Sequence, residues 1–161
     1  MSENESSADN QQERLYQAGW IVGFVDGEGC FSISIFRNSK TKFGWQIMPE
    51  FVITQGERSL NVLKEIQTFF KCGRIYINRR YDNHREHIYR FCVRKMEDLI
   101  QIIIPFFRKY HLKTAKQANF LKFIEVVLLM QAQEHYSFAG IQKIAALVGK
   151  KLDRESSETT R

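Results

Sequence analysis

The chain has 161 residues, of which 43% are hydrophobic and 26% are charged, and its formal net charge at pH 7 is +6. This length allows one domain with a hydrophobic core and is too short for two ordinary domains. The composition excludes a wholly disordered or collagen-like chain, and the lack of an apolar run of about 18 residues argues against a membrane span. The excess of Lys and Arg favours an anionic partner.

The two ends of the chain are polar and acidic, so the middle is more basic than the total charge suggests. Since the ends offer little apolar surface to bury, we predict a disordered N-terminal arm over residues 1–12, a single domain over 13–152 and a flexible tail over 153–161. The N-terminal sequence lacks the features of a signal or transit peptide. The three cysteines are too widely spaced for a disulfide framework or a zinc site, which predicts an intracellular, reducing compartment. The sequence does not distinguish a location in the prokaryotic cytoplasm from one in an organelle such as the mitochondrion or chloroplast.

A helix is predicted over residues 15–29, where apolar and small residues recur every three or four positions. One of its faces is unusually small and comprises Leu15, Ala18, Gly19, Val22, Gly23 and Asp26. Glycine within a helix costs roughly 1 kcal/mol relative to alanine, so the pair Gly19 and Gly23 predicts close contact with a second helix. The opposite face carries Tyr16, Trp20, Ile21, Phe24 and Val25, which suits burial under a sheet.

Apolar and polar side chains alternate with a period of two after this helix, which predicts strands. We expect two β-hairpins, at about residues 31–53 and 73–93, with a helix between them at about 58–70. Further helices are predicted at about 96–110, where Pro105 interrupts the pattern, at 115–131 and at 137–152. The expected fold is α+β, with a four-stranded antiparallel sheet that has helices on one face and an open second face.

The open face of this predicted sheet carries polar and cationic side chains: Ser32, Ser34, Gln46, Glu50, Arg74, Tyr76, Asn78, Arg80 and Arg90. The hairpin turns add Arg37, Asn38, Lys40, Lys42, His84 and Arg85. Guanidinium groups suit phosphates and guanine edges, and a two-stranded ribbon fits the major groove, so we predict that these residues bind DNA. The alternative is an ordinary solvated sheet in a basic protein.

Two carboxylates, Asp26 and Glu28, lie in the sequence VDGEG at the end of the first predicted helix. They face the negative end of the helix dipole, which costs about a few tenths of a kcal/mol for each group and which a bound cation would offset. A hard ion such as Mg²⁺ takes carboxylate and phosphate oxygens and keeps a water molecule as a potential nucleophile. An ordinary acidic turn is the other interpretation of this segment.

Residues 18–35, AGWIVGFVDGEGCFSISI, resemble the LAGLIDADG motif of homing endonucleases, with residues 21–29 aligned on its nine letters. Later segments are similar to further blocks of the same family in the same order: FVITQ at 51–55, CGRIYIN at 72–78, IIIPFFRKYHLKTAKQANFLKF at 102–123 and EHYSFAGIQKI at 134–144. The resemblance covers about residues 15–150. Several blocks in one order are far more specific than the motif alone.

This resemblance implies an αββαββα core whose saddle-shaped sheet lies in the major groove of double-stranded DNA. The implied reaction is metal-dependent hydrolysis of one phosphodiester in each strand, which initiates intron- or intein-type homing. Motif helices of the family pack against each other, so a single motif implies a homodimer on a long, roughly palindromic site. The implied contact residues are Ala18, Gly19, Val22, Gly23 and Asp26. Neither a membrane nor a small-molecule cofactor is implied.

Catalytic roles also follow from the resemblance. Glu28 matches the catalytic acid of the family and would be a ligand of Mg²⁺ or Mn²⁺, and Gln55 matches a position that orders water near the cleavage site. A lysine near the active site corresponds best to Lys116, with Lys113 a close rival. Asp26 is expected to be structural, closing either the motif turn or the subunit contact. The alternative function is a non-cleaving nucleic-acid binder, such as an intron-splicing maturase, although an intact Glu28 favours catalysis.

Overall fold

Two helix–strand–strand units form the first part of the chain, and further helices follow them. The computed structural model describes residues 3–79, 81 and 86–152. Its elements are α1 (Glu3–Glu28), β1 (Gly29–Arg37), β2 (Trp45–Gly56), α2 (Leu60–Phe70), β3 (Arg74–Asn78), β4 (Ile88–Val93), α3 (Met96–Asp98), α4 (Ile104–Lys109), α5 (Lys116–Gln131) and α6 (Phe138–Leu147). Within these described ranges, none of the helices is both long and apolar enough to cross a membrane.

The four strands form one antiparallel sheet in the order β1-β2-β4-β3. Phe31 pairs with Phe51, which pairs with Val93, and all three side chains are buried under the helices. Because successive side chains of a strand point to opposite faces, the neighbours Ser32 and Glu50 lie together on the other face. The α+β class and the open face predicted from alternation are therefore confirmed.

The core beneath the sheet is built around aromatic rings. Phe31 lies 5.1 Å from Phe51, 5.2 Å from Phe107 and 4.8 Å from Phe120, measured between ring centroids. These contacts join β1 and β2 to α4 and α5. The Phe31–Phe51 pair is stacked and the Phe31–Phe107 pair is edge-to-face, and aromatic pairs favour offset stacking and edge-to-face contact. Near the turn between β1 and β2, a second cluster packs α5 and α6 under the strands and comprises Ile35, Ile47, Val126, Ile141, Ile144 and Ala145. Helices thus support both halves of the first hairpin.

Helix α1 begins at Glu3, so residues 3–12 are helical rather than the disordered arm that their composition predicts. Once a buried anchor has formed a helix, adding each further residue costs little free energy, and Glu, Gln and Ala are good helix formers. Residues 8–17 of α1 are exposed, which is why no apolar pattern in the sequence marks this extension. The predicted tail over 153–161 lies outside the described residues.

The buried face of α1 differs from the predicted one. Ala18 and Val22, predicted to contact a second helix, are only 2% and 9% exposed and lie in the core of their own chain. With Ile21 and Val25 they form a buried apolar stripe at spacings of three and four residues. The sequence did not reveal this stripe because Ala18 is small and therefore suited the predicted helix contact equally well. The prediction that Trp20 is buried under the sheet is likewise wrong, because its side chain is 41% exposed.

Pro105 changes the geometry of the helical segment after β4. The chain is α-helical at Met96–Asp98, widens into a π-helical turn at Leu99–Ile103 and returns to α-helix at Ile104–Lys109. Proline has no N–H and its ring clashes with the carbonyl four residues earlier, so a widened turn accommodates it. The interruption predicted at Pro105 therefore appears as a change of helix type within one helical segment.

Candidate active site and DNA interface

The motif helix ends at the predicted catalytic acid. Helix α1 finishes at Glu28 and β1 starts at Gly29, where an added Cβ would lie 2.6 Å from Cγ1 of Val25. Only glycine fits this direct passage from helix to strand. The side chain of Glu28 is exposed, and its Oε2 accepts a hydrogen bond of 3.2 Å from Nε2 of Gln55. The structure thus brings together two residues that are 27 positions apart in the sequence.

The loop before α5 brings lysine to the same helix end. Nζ of Lys116 donates a hydrogen bond of 2.8 Å to the carbonyl oxygen of Val25. A cation at a helix C-terminus is favoured by the helix dipole and satisfies a carbonyl that has no partner within the helix. Lys113 contributes its backbone N–H to this region, and its side chain is exposed. Of the two predicted lysines, Lys116 is the one whose ammonium group reaches the motif.

Asp26 ties the end of α1 to the same loop. It accepts hydrogen bonds from the backbone N–H of Lys113 at 2.7 Å, from the N–H of Thr114 at 3.2 Å and from the hydroxyl of Thr114 at 2.7 Å. Desolvation raises the pKa of Asp26, but these hydrogen bonds and the charge of Lys116 outweigh it and lower the pKa. Asp26 therefore closes the motif turn within its own chain, which is one of the two structural roles left open by the sequence.

A stripe of glycine lies on the exposed side of α1. Gly19, Gly23 and Gly27 are exposed, and a Cβ added at any of the three meets no atom within 4 Å. The packing of this chain therefore does not require glycine at these positions. The third member, Gly27, was not predicted, although its spacing of four from Gly23 places it on the same helical face. Contact with a second copy through this glycine stripe stays a prediction.

Eight of the residues predicted for the open face lie in the part of the chain that the structure describes, and the strand register places all of them on that face: Ser32, Ser34, Gln46, Glu50, Arg74, Tyr76, Asn78 and Arg90. Their register supports this, because Ser32 pairs with Glu50 and Arg90 pairs with both Thr54 and Tyr76. Arg74 and Tyr76 are exposed, so cationic and hydrogen-bonding groups are accessible here. Predicted contacts Arg80, His84 and Arg85 lie outside the described residues.

Glu50 requires a correction, because its carboxylate is not available to DNA. The side chain is 5% exposed and is covered by Arg90, at 3.1 Å from Oε1, and by Arg94, at 2.6 Å from Oε2. The hydrogen bond to Glu50 raises the pKa of Arg94. Arg94 was not among the residues predicted for the open face, although the alternation through positions 90, 92 and 94 points to it.

The turn between β1 and β2 holds its polar residues in place through local contacts. The guanidinium carbon of Arg37 lies 4.0 Å from the centroid of the Trp45 ring, a cation–π distance. Asn38 donates from Nδ2 to Oε1 of Gln46 at 2.5 Å, and its Oδ1 accepts from the N–H of Lys40. Lys42 is exposed. This turn therefore presents cationic side chains on an ordered support.

The sequence model described as LAGLIDADG endonuclease matches residues 21–127. This chain belongs to that family. A family relative from Neurospora crassa, "Probable intron-encoded endonuclease 2", is 34% identical over 128 residues, which cover 80% of this chain and 26% of that protein. This chain thus spans about a quarter of the length of that curated relative.

Solved structures of the family share the fold. The crystal structure of the homing endonuclease I-TnaI superposes with a TM-score of 0.72 at 36% identity, covering 85% of this chain and 89% of that one. I-SmaMI bound to an uncleaved DNA target in the presence of calcium ions gives a TM-score of 0.73 at 34% identity, covering 81% of this chain and 42% of that one. The family resemblance inferred from the sequence is confirmed by both kinds of comparison.

Proposed function

We propose that this chain is a site-specific endonuclease that acts as a homodimer on double-stranded DNA and hydrolyses one phosphodiester in each strand of a long, roughly palindromic target. The observation that carries this proposal is the meeting of Glu28, Gln55 and Lys116 at one end of the motif helix. A carboxylate, an amide and an ammonium group thus lie together where the motif helix meets the sheet, and the open face of that sheet is cationic. Homing of an intron or intein would follow from such cleavage.

A divalent cation, Mg²⁺ or Mn²⁺, fits the side chains at this junction. Among the described residues there is no group of three or more His, Cys, Asp or Glu that could hold a metal ion by itself. Glu28 is an exposed carboxylate, and Mg²⁺ is commonly held by one or two carboxylates together with substrate phosphates and water. Glu28 from each of two copies, with DNA phosphates, would complete such a site. When bound, the ion supplies Lewis acidity and lowers the pKa of a bound water.

The other two residues at this junction have different roles: Gln55 orients Glu28, and Lys116 adds positive charge. Gln55 fixes the rotamer of Glu28 by donating to one carboxylate oxygen, which leaves the second oxygen for a ligand. Lys116 places a positive charge at the end of α1, where it stabilises the negative charge that develops on the attacked phosphate. Asp26 and Thr114 hold the loop from which Lys116 extends.

Recognition of the target is assigned to the open face. Arg74 and Arg90 lie on adjacent strands of a twisted ribbon whose width suits the major groove. Arg37, Lys40 and Lys42 in the first turn are suited to phosphate contacts, which set the position of the protein on the duplex. A dimer with twofold symmetry would present two such faces to two half-sites.

The proposal is tested by incubating the protein with a library of long palindromic duplexes, with and without Mg²⁺, and sequencing the cut ends. We expect cuts at one target in both strands, only with the metal. Glu28→Gln keeps the shape of the side chain but removes the anionic ligand, so it is expected to abolish cleavage and leave DNA affinity nearly unchanged. Glu65→Gln, exposed on α2, is the matched control and is expected to cleave like the wild type. Binding of one target without any cleavage would favour a binding protein instead.

A further inference from the structure

A charged cluster of Glu50, Arg90 and Arg94 lies at the centre of the open face. Glu50 is 5% exposed although it stands on the accessible side of the sheet. Each carboxylate oxygen accepts from one arginine, at 3.1 Å from Nη2 of Arg90 and at 2.6 Å from Nε of Arg94. The arginine side chains themselves are 38% and 41% exposed. The guanidinium groups therefore cover the carboxylate and still reach solvent.

Packing does not require a carboxylate at position 50. Val52 and Cys92 face the same side of the sheet and are buried, so the centre of the open face accepts apolar side chains. Burying a charge costs free energy, and ion pairs with half-exposed partners contribute little net stability. A role in folding alone therefore does not account for Glu50.

The cluster does restrict where the two guanidinium groups lie. Arg94 is held by Glu50 on one side and stands 5.5 Å from the ring centroid of Tyr76 on the other. Arg90 is held by Glu50 and pairs in register with Tyr76 of β3. A guanidinium has five N–H donors, so one bond to Glu50 does not exhaust either arginine. Side chains that are already ordered lose less conformational entropy when they bind a partner.

We propose that Glu50 is a positioning residue for DNA recognition, which makes no contact with the target but fixes Arg90 and Arg94 so that both guanidinium groups meet base edges in the major groove. This inference rests on the proposed function, because it requires the open face to bind DNA. Electrostatics alone makes the opposite prediction for loss of Glu50, since a carboxylate on this face repels phosphates. Loss of Glu50 should therefore lower DNA affinity if Glu50 positions the arginines, and raise it if Glu50 acts only as a repelling charge.

The substitution Glu50→Gln distinguishes the positioning role from simple repulsion. DNA affinity is measured without divalent metal, so that no cleavage is needed. Wild-type and variant proteins are titrated against a duplex that the wild type selects from a random library, and against an unrelated duplex of equal length. We expect affinity for the selected duplex to fall on the order of 10-fold, the scale of one lost arginine–base contact. Affinity for the unrelated duplex is expected to hold or rise. Glu65→Gln makes the same charge change on α2 and is expected to leave the ratio of the two affinities unchanged.

A second variant separates geometry from charge. Glu50→Asp keeps the negative charge and withdraws the carboxylate by one methylene, so its hydrogen bonds to Arg90 and Arg94 are lost or lengthened. We expect it also to bind the selected duplex less tightly, with the net charge of the protein unchanged. Thermal unfolding of each variant shows whether it is folded. If Glu50→Gln does not fold, the positioning role is tested with Glu50→Asp alone.

The outcomes distinguish this inference from the function on which it rests. Equal gains in affinity for both duplexes, or no change for either, would overturn the positioning role and leave the proposed function intact. A wild-type protein that prefers no duplex of the library would overturn the proposed function itself. Selective loss of affinity for the selected duplex in both Glu50 variants supports the positioning role.

Discussion

Lys116 and Lys113 differ in what their side chains contact, although they are three residues apart in one loop. The ammonium group of Lys116 lies on the carbonyl of Val25, whereas Lys113 reaches the motif through its backbone N–H. We expect Lys116→Met to slow cleavage about 100-fold, the scale of losing one charge-stabilising donor. Lys113→Met makes the same charge change with a small effect, and single-turnover cleavage assays compare the two. Equal slowing by both variants would refute the assignment to Lys116.

Asp26 gives a prediction about pH. Its pKa is lowered below the ordinary value of 3.8 in the folded chain, so its hydrogen bonds stabilise the fold above that value and are lost as the pH falls through the lowered pKa. We expect Asp26→Asn to have a lower Tm than the wild type at pH 7, and this difference to shrink below about pH 4. Thermal unfolding across this range measures it, with Asp9→Asn on the exposed part of α1 as the control. A difference that is constant with pH would contradict this origin.

Helix α1 packs on its own chain through one face, and we propose that its exposed glycine stripe contacts a second copy. Gly23→Leu places a large side chain where a Cβ meets no atom of its own chain, and leucine favours a helix more than glycine does. We therefore expect a folded protein that sediments as a monomer, and whose thermal unfolding no longer depends on protein concentration. Gln17→Leu puts the same side chain on another exposed face of α1 and is expected to leave the dimer intact. A Gly23→Leu variant that remains a stable dimer would place the contact elsewhere.

The elements differ in how far the sequence predicts them. The strands were predictable because their core-facing side chains are mostly apolar, so alternation indicated both the sheet and the side chains of its open face, although in β3 even the core-facing side chains stay partly exposed. The faces of α1 were not, because small residues suit a tight core as well as a helix contact, and Ala18 and Val22 went to the core. The burial of Glu50 depends on arginines 40 and 44 positions away, a pairing that no local pattern reveals.

For the molecule as a whole, each chain brings one Glu28, so a homodimer has one such acid for each of two DNA strands. We expect a mixture of wild-type chains and Glu28→Gln chains, after subunit exchange, to produce duplexes cut in one strand. Supercoiled plasmid carrying the target measures this, because a single nick gives the relaxed circle and a double cut gives the linear form. A mixture that gives only linear product, at a reduced rate, would contradict one acid acting on each strand.

The junction between α1 and β1 contains no connecting residue, since the helix ends at Glu28 and the strand begins at Gly29. The carboxylate proposed to act in cleavage and the first strand of the surface proposed to read the target are therefore joined by a single peptide bond. In the proposed function, the separation between the bonds that are broken and the base pairs that are read would consequently be built into the backbone. If the proposed function holds, a descendant of this protein would acquire a new target by exchanging side chains along its strands, while the length of the site and the offset of the cuts would stay inherited.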